Sequence, residues 1–244
     1  KIGALWVNPT TCKPVGSTIG HEIGHSFQYQ VSADKLFMGE VTPIDRADGS
    51  QLVPAGFRYG FGENGAGGCA YWEQCAQWQS FQDYPNECFD QDAHYAVWLK
   101  NHHRHFNHEF MRYASYWFQY WFTEKHGIES YARIWKESKY PEDPLQTYMR
   151  IYCNNSLDAL YNDLYEYSAH CADYDFKAVH QYKKEAAINY STKLYKNDGY
   201  YHVAYTNCPG ITGFNLIPLN VPASGKVSVT LEGLAPGSAL AAGD

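Results

Sequence analysis

Five residues, His21-Glu22-Ile23-Gly24-His25, constrain this chain more than any others. Histidines four positions apart share a face on an α-helix, where their Cβ atoms lie roughly 5–6 Å apart. At that spacing two imidazoles reach one zinc ion at about 2.0–2.1 Å. Glu22 projects beside them, placed to take a proton from a metal-bound water and pass it to a leaving group. With 11 histidines in 244 residues, chance yields H-E-x-x-H in roughly a few per hundred chains of this composition. The expectation is a helix over about residues 18–31 that binds Zn2+. Ser17 or Thr18 is its expected cap, and Ile23 its expected anchor in the core. Gly24 costs the helix about 0.8–1.0 kcal/mol relative to alanine, which makes sense where another element packs tightly against it.

A catalytic zinc needs a third protein ligand and an open position. The metzincin pattern would place Gly and His three and six residues after His25, but this chain has Gln28 and Val31 there. A downstream carboxylate is the remaining common solution. Glu40 falls in a loop, Glu63 is surrounded by glycines, and Glu73 lies in a segment (70–78) that reads as an amphipathic helix. Glu73 is favoured, with Glu63 as the alternative.

Composition narrows the partners. At 45% hydrophobic residues the chain is a folded one. Only 18% of residues are charged and the net charge is −7, which argues against a nucleic-acid partner. No apolar run is long enough to cross a bilayer. Aromatics reach 17%, and most are expected in the core. Seven cysteines are an odd number without a C-x-x-C pair, so disulfides and free thiols are both open.

Residues 2–7 read as a short strand and 39–68 as a long ordered loop. Helical spacing covers about 69–82, 91–105, 107–126, 128–137, 144–152 and 156–176. Alternation over 213–222 and 226–232 reads as strands. The expected organisation is a mainly α domain over 1–190, followed over 200–244 by the start of a C-terminal β domain. The first residues do not read as a signal peptide, and the chain is expected to be a piece of a longer precursor.

His21-Glu22-Ile23-Gly24-His25 followed by Trp72-Glu73-Gln74-Cys75-Ala76 resembles the gluzincin metallopeptidases, the thermolysin-like clan. Residues 16–30 and 57–82 are also similar to a family of bacterial cell-surface zincins, whose members continue into a β domain with a segment like residues 215–222. This resemblance covers most of the chain. It implies a zincin-like catalytic lobe with a short N-terminal edge strand, and Glu73 as third ligand. It further implies a secreted or cell-surface endopeptidase acting on proteins or glycoproteins. In gluzincins an edge strand pairs with extended substrate. Residues 3–7 take that place, with Ala4 and Trp6 as substrate-binding residues and the rest of the sheet upstream. Gluzincins also take an oxyanion donor, Tyr or His, from the helical lobe. His105, His108 and Tyr113 are the candidates here, with His108 and Tyr113 assigned to catalysis.

Two features depart from that pattern. The Asp expected four residues after the glutamate is Gln77, and the interval from His25 to Glu73, 73 − 25 = 48 positions, is longer than in thermolysin. An alternative function is a carbohydrate- or protein-binding surface module on a zincin fold. Such a module need not keep Glu22, so its presence favours hydrolysis. A zinc amidase acting on a non-peptide bond would use the same groups. Metal analysis should find one zinc per chain, lost in His21→Ala and in His25→Ala. A carefully loaded wild type without zinc would contradict the motif's reading.

Overall fold

The computed structural model describes residues 5–6, 8–9, 16–57, 70–90, 94–185 and 192–233. The first helix, α1 (Ser17–Phe37), carries the H-E-x-x-H motif and continues well past residue 31. Gly16 is its N-cap, with no side-chain cap. Neither Ser17 nor Thr18 serves, and the Ser17 hydroxyl instead donates to the Glu87 carboxylate. The buried residues of α1 are His21, Gly24 and Gln28, a stripe at i, i+3 and i+7 that lies on one helical face. Ile23 is 42% exposed and Phe27 62% exposed. The inward face is therefore the polar and small one, and Ile23 is not the core anchor.

The second helix, α2 (Ala70–Asp83), is buried on all sides rather than amphipathic. Its neighbours explain the aromatic composition. Trp78 stacks on Tyr131 with centroids 4.5 Å apart, and Trp72 meets Trp135 edge-on at 4.9 Å. Trp98, Trp117, Tyr120, Phe118 and Phe122 are fully buried. Burying a phenylalanine-sized side chain contributes about 1.5–3 kcal/mol, so this aromatic core holds α2 in place.

The α1–α2 crossing is unusually close. A Cβ at Gly24 would lie 3.2 Å from the Cα of Ala76, and one at Gly20 would lie 3.3 Å from the Cα of Ser80. Small residues spaced four apart on both helices thus bring the two backbones nearly into contact, as the glycine suggested.

The rest of the lobe comprises α3 (His94–Asn101), α4 (Trp117–His126), α5 (Glu129–Glu137), α6 (Pro144–Tyr152) and α7 (Leu157–Asp173). Local signals set these ends. Asp143 and Gln146 form a reciprocal capping box ahead of Pro144, and the Ser156 side chain accepts from the Ala159 N–H. The helix expected over 107–126 forms only from Trp117. His105 Nδ1 accepts from the Asn107 N–H at 3.0 Å, and His108 Nδ1 from the Phe110 N–H at 3.1 Å. These local bonds compete with helical ones.

Two small antiparallel sheets complete the described fold: β1 (Ile44–Asp45) with β2 (Gln51–Leu52), and β3 (Leu194–Asn197) with β4 (Tyr200–Val203). The second is a hairpin turning at Asp198-Gly199, both at positive φ, as an Asp-Gly turn requires. The strands expected at 213–222 and 226–232 are absent, although these residues are described. Pro218 and Pro222 lack the N–H a ladder needs, and Val229 and Leu231 are exposed. Nor does the chain leave the lobe directly after Tyr200, since residues 210–214 still bond to it. The Gly210 N–H donates to the His103 carbonyl at 2.8 Å, the Phe214 N–H to the His102 carbonyl at 3.2 Å, and the Phe106 N–H to Thr212 Oγ1 at 2.6 Å. Phe214 is buried beside Trp98.

At the other end, Leu5 and Trp6 belong to no strand, and Ala4 lies outside the described residues. The described cysteines, Cys75, Cys88, Cys153, Cys171 and Cys208, are free thiols. No described helix is long and apolar enough to cross a membrane.

The crossing generates a stability prediction. Gly24→Val should force the two helices apart at a cost of about 1–3 kcal/mol, typical of overpacking, and lower the melting temperature. An unchanged or raised melting temperature would show that the contact at Gly24 is not limiting.

Candidate metal centre

The face of α1 that meets α2 carries His21 and His25, and the first turn of α2 carries Glu73. The close crossing brings the three side chains to one point. His21 Nε2 lies 2.9 Å from Glu73 Oε2, His25 Nε2 lies 3.2 Å from the same oxygen, and the two Nε2 atoms are 3.1 Å apart. Among the described residues, these three form the group of His, Cys, Asp or Glu side chains arranged to hold a metal ion.

The spacing can be tested against an ion. Ligands 2.0–2.1 Å from a tetrahedral zinc stand roughly 3.3–3.4 Å from one another. The three observed separations fall a few tenths of an ångström short of that, so a small inward-to-outward adjustment fits the ion. The donor set, two imidazole nitrogens and one carboxylate oxygen, is also one that zinc accepts.

Gln28 stands behind the site. Its Oε1 is 2.8 Å from His25 Nδ1, and its Nε2 donates to the Trp72 carbonyl at 2.8 Å. The Nδ1 of His21 is buried and has no hydrogen-bond partner among the described residues.

One wall of the site opens into a cavity of about 550 Å³, within the usual range for small-molecule sites. Glu22, Tyr113, His94, Tyr29 and Gln77 line it together with the three clustered residues. Tyr113 lies with its ring centroid 5.8 Å from that of His21, and His94 stacks on Tyr113 at 5.2 Å.

The expected site residues divide clearly. His21, His25 and Glu73 converge, and Glu22 and Tyr113 share their cavity. His108 does not line the cavity. Its Nδ1 is taken by the Phe110 N–H, and its Nε2 faces Arg104 at 3.2 Å. His105 is likewise engaged with its own turn. Trp6 is 94% exposed and its neighbour Leu5 lines the cavity instead. Glu40 is exposed outside the cluster, and Glu63 lies outside the described residues. Two residues escaped sequence reasoning. His94 had no distinguishing pattern. Gln28 had one, three residues beyond His25 and seven beyond His21 on the same helical face.

The electrostatics differ across the site. Burial acts to lower the His25 pKa but is outweighed. Hydrogen bonds to Glu73 and Gln28, with the charges of Glu73 and Glu22, raise it above 6.5. At His94, burial and then the neighbouring His21 lower the pKa, against the opposing pull of Asp90 and Glu73.

The chain belongs to a family of unknown function, DUF6055, whose model matches residues 1–242. No curated protein and no solved structure matches it.

The pKa directions predict a pH profile for the metal-free protein. A raised folded pKa at His25 means a stabilising contribution fully present below 6.5 and lost as pH rises through the folded value. His94, His103 and His105 are depressed, and His102 is lowered to about 4. Their contributions are present above 6.5 and are lost as pH falls. The melting temperature of the metal-free protein should therefore decline on the alkaline side of 6.5, and His25→Gln should remove that decline. A flat wild-type profile above 6.5 would contradict it.

Proposed function

We propose that this chain is a zinc-dependent hydrolase of the gluzincin type, an exported endopeptidase cleaving proteins or glycoproteins. The observation that carries this reading is the convergence of His21, His25 and Glu73 beside a cavity that also holds Glu22 and Tyr113. The resemblance to bacterial cell-surface zincins supports export and a secreted or surface location.

On this reading His21, His25 and Glu73 hold the ion. Bound there, zinc supplies Lewis acidity and a water acidic enough to attack near neutral pH. Glu22 is exposed on the cavity wall. It accepts the proton of the attacking water and returns it to the leaving amine. Tyr113, on the wall contributed by the helical lobe, donates its hydroxyl to the developing oxyanion. His94 stacks on the Tyr113 ring and so limits the directions in which that hydroxyl points.

Glu22→Gln tests the proposal. The amide is nearly isosteric but cannot accept the proton. Cleavage of a mixed peptide and glycoprotein library should fall by about 100-fold or more, with zinc content and melting temperature unchanged. Undiminished turnover in the variant would remove Glu22 from its role. A zinc-loaded wild type that cleaves nothing while retaining glycans or peptides would favour the binding-module reading.

A further inference from the structure

We infer that Gln28 is the positioning residue of the metal centre. It locks His25 in the tautomer that presents Nε2 to the ion, and it ties α1 to α2 next to Glu73. The inference rests on the proposed zinc reading and adds a residue to it.

The argument begins at the Trp72 carbonyl. A backbone C=O only accepts hydrogen bonds. The Gln28 atom 2.8 Å from it must therefore be the amide nitrogen. That fixes the amide's orientation and turns Oε1 toward His25. An amide oxygen also only accepts, so the His25 nitrogen 2.8 Å away must be the donor, Nδ1–H. In a neutral imidazole the other nitrogen then carries the lone pair. That nitrogen, Nε2, is the one facing Glu73 and His21. The Trp72 carbonyl thus selects the amide orientation, and the amide selects the tautomer that can ligate.

Two further observations give this chain of bonds its weight. Gln28 is 3% exposed, so solvent does not readily substitute for either of its partners. The bond to Trp72 holds the residue preceding Glu73, so one side chain sets both a nitrogen ligand and the backbone carrying the oxygen ligand. Among the described residues His21 has no equivalent, since none of them gives its buried Nδ1 a partner. Among the described residues, the tautomer-fixing bond in this cluster is therefore the one at His25. Outer partners of metal-bound histidines commonly change metal affinity by 10–100-fold when lost.

The test uses the full chain, zinc titration against a competing chelator, and two variants. Gln28→Met keeps the size and removes both bonds. Gln28→Glu keeps an oxygen for His25 Nδ1–H but sets a second oxygen against the Trp72 carbonyl. Zinc affinity should fall about 10–100-fold in Gln28→Met and return to within tenfold of wild type in Gln28→Glu. Both metal-free variants should lose melting temperature alike. That split between affinity and stability is what a purely structural role would not give. If the two variants lose affinity in step with stability, or Gln28→Met binds zinc as wild type does, the inference is overturned.

Imidazole nitrogen NMR of the wild type needs no variant to fold. Before zinc is added, at a pH where His25 is neutral, His25 should be the Nδ1–H tautomer. The Nε2–H tautomer would overturn the inference. A wild type that takes up no zinc at all is a different result, which removes the proposed function itself.

Discussion

The near-contact of two helix backbones is the constraint on which the rest of this structure depends. Gly20 and Gly24 face Ser80 and Ala76 at distances where another Cβ would sit tighter than ordinary van der Waals contact. A glutamate side chain is short. It can reach two imidazoles on a neighbouring helix only if the axes are brought closer than ordinary side chains permit. The glycines weaken α1 as an isolated helix, and burial of α2 within the aromatic lobe compensates by fixing the other side of the contact. Aromatic core, close crossing and three-residue cluster are thus successive consequences of one packing arrangement.

That arrangement creates an electrostatic demand. Glu73 is 9% exposed and His21 is 6% exposed. A buried carboxylate is costly unless positive charge compensates it. In the metal-free chain the compensation comes from a proton, which is why the His25 pKa rises despite burial. A divalent cation would compensate the same carboxylate and take the place of that proton at His25 Nε2. Proton and metal would therefore compete there, and metal uptake would be linked to proton release. Beyond the cluster the cavity wall is polar and aromatic rather than basic. Glu22, Tyr113, His94 and Gln77 face the space, which suits hydrogen bonding to a neutral polar chain better than recognition of an anion.

Much of the site was legible because it depends on helical spacing. His21, Glu22 and His25 are fixed by the 3.6-residue period alone, and Glu73 by a second helix that the pattern places well. Helices such as α5 and α6 were equally readable from their helical spacing. The failures have physical causes. Ile23 looked like a core anchor, but the crossing required small residues inward, so hydrophobicity pointed the wrong way. His108 sat in an apparently helical run, yet local side chain–backbone bonds turn that run into loops and aim its imidazole elsewhere. The alternation at 213–222 looked like a strand. Its prolines deny it a ladder, and the Phe214 N–H bonds to the His102 carbonyl of the lobe instead. Gln28 stood on the buried stripe, and its role emerges only once Trp72 is known to lie opposite.

X-ray absorption at the zinc edge of the loaded full chain addresses the central claim most directly, since it reads the ligand atoms themselves. The account predicts a four-coordinate ion with two imidazole nitrogens at about 2.0–2.1 Å and light-atom neighbours from a carboxylate and solvent. A shell containing sulfur, or an all-oxygen six-coordinate shell without imidazole scattering, would contradict it and place the ion away from His21, His25 and Glu73.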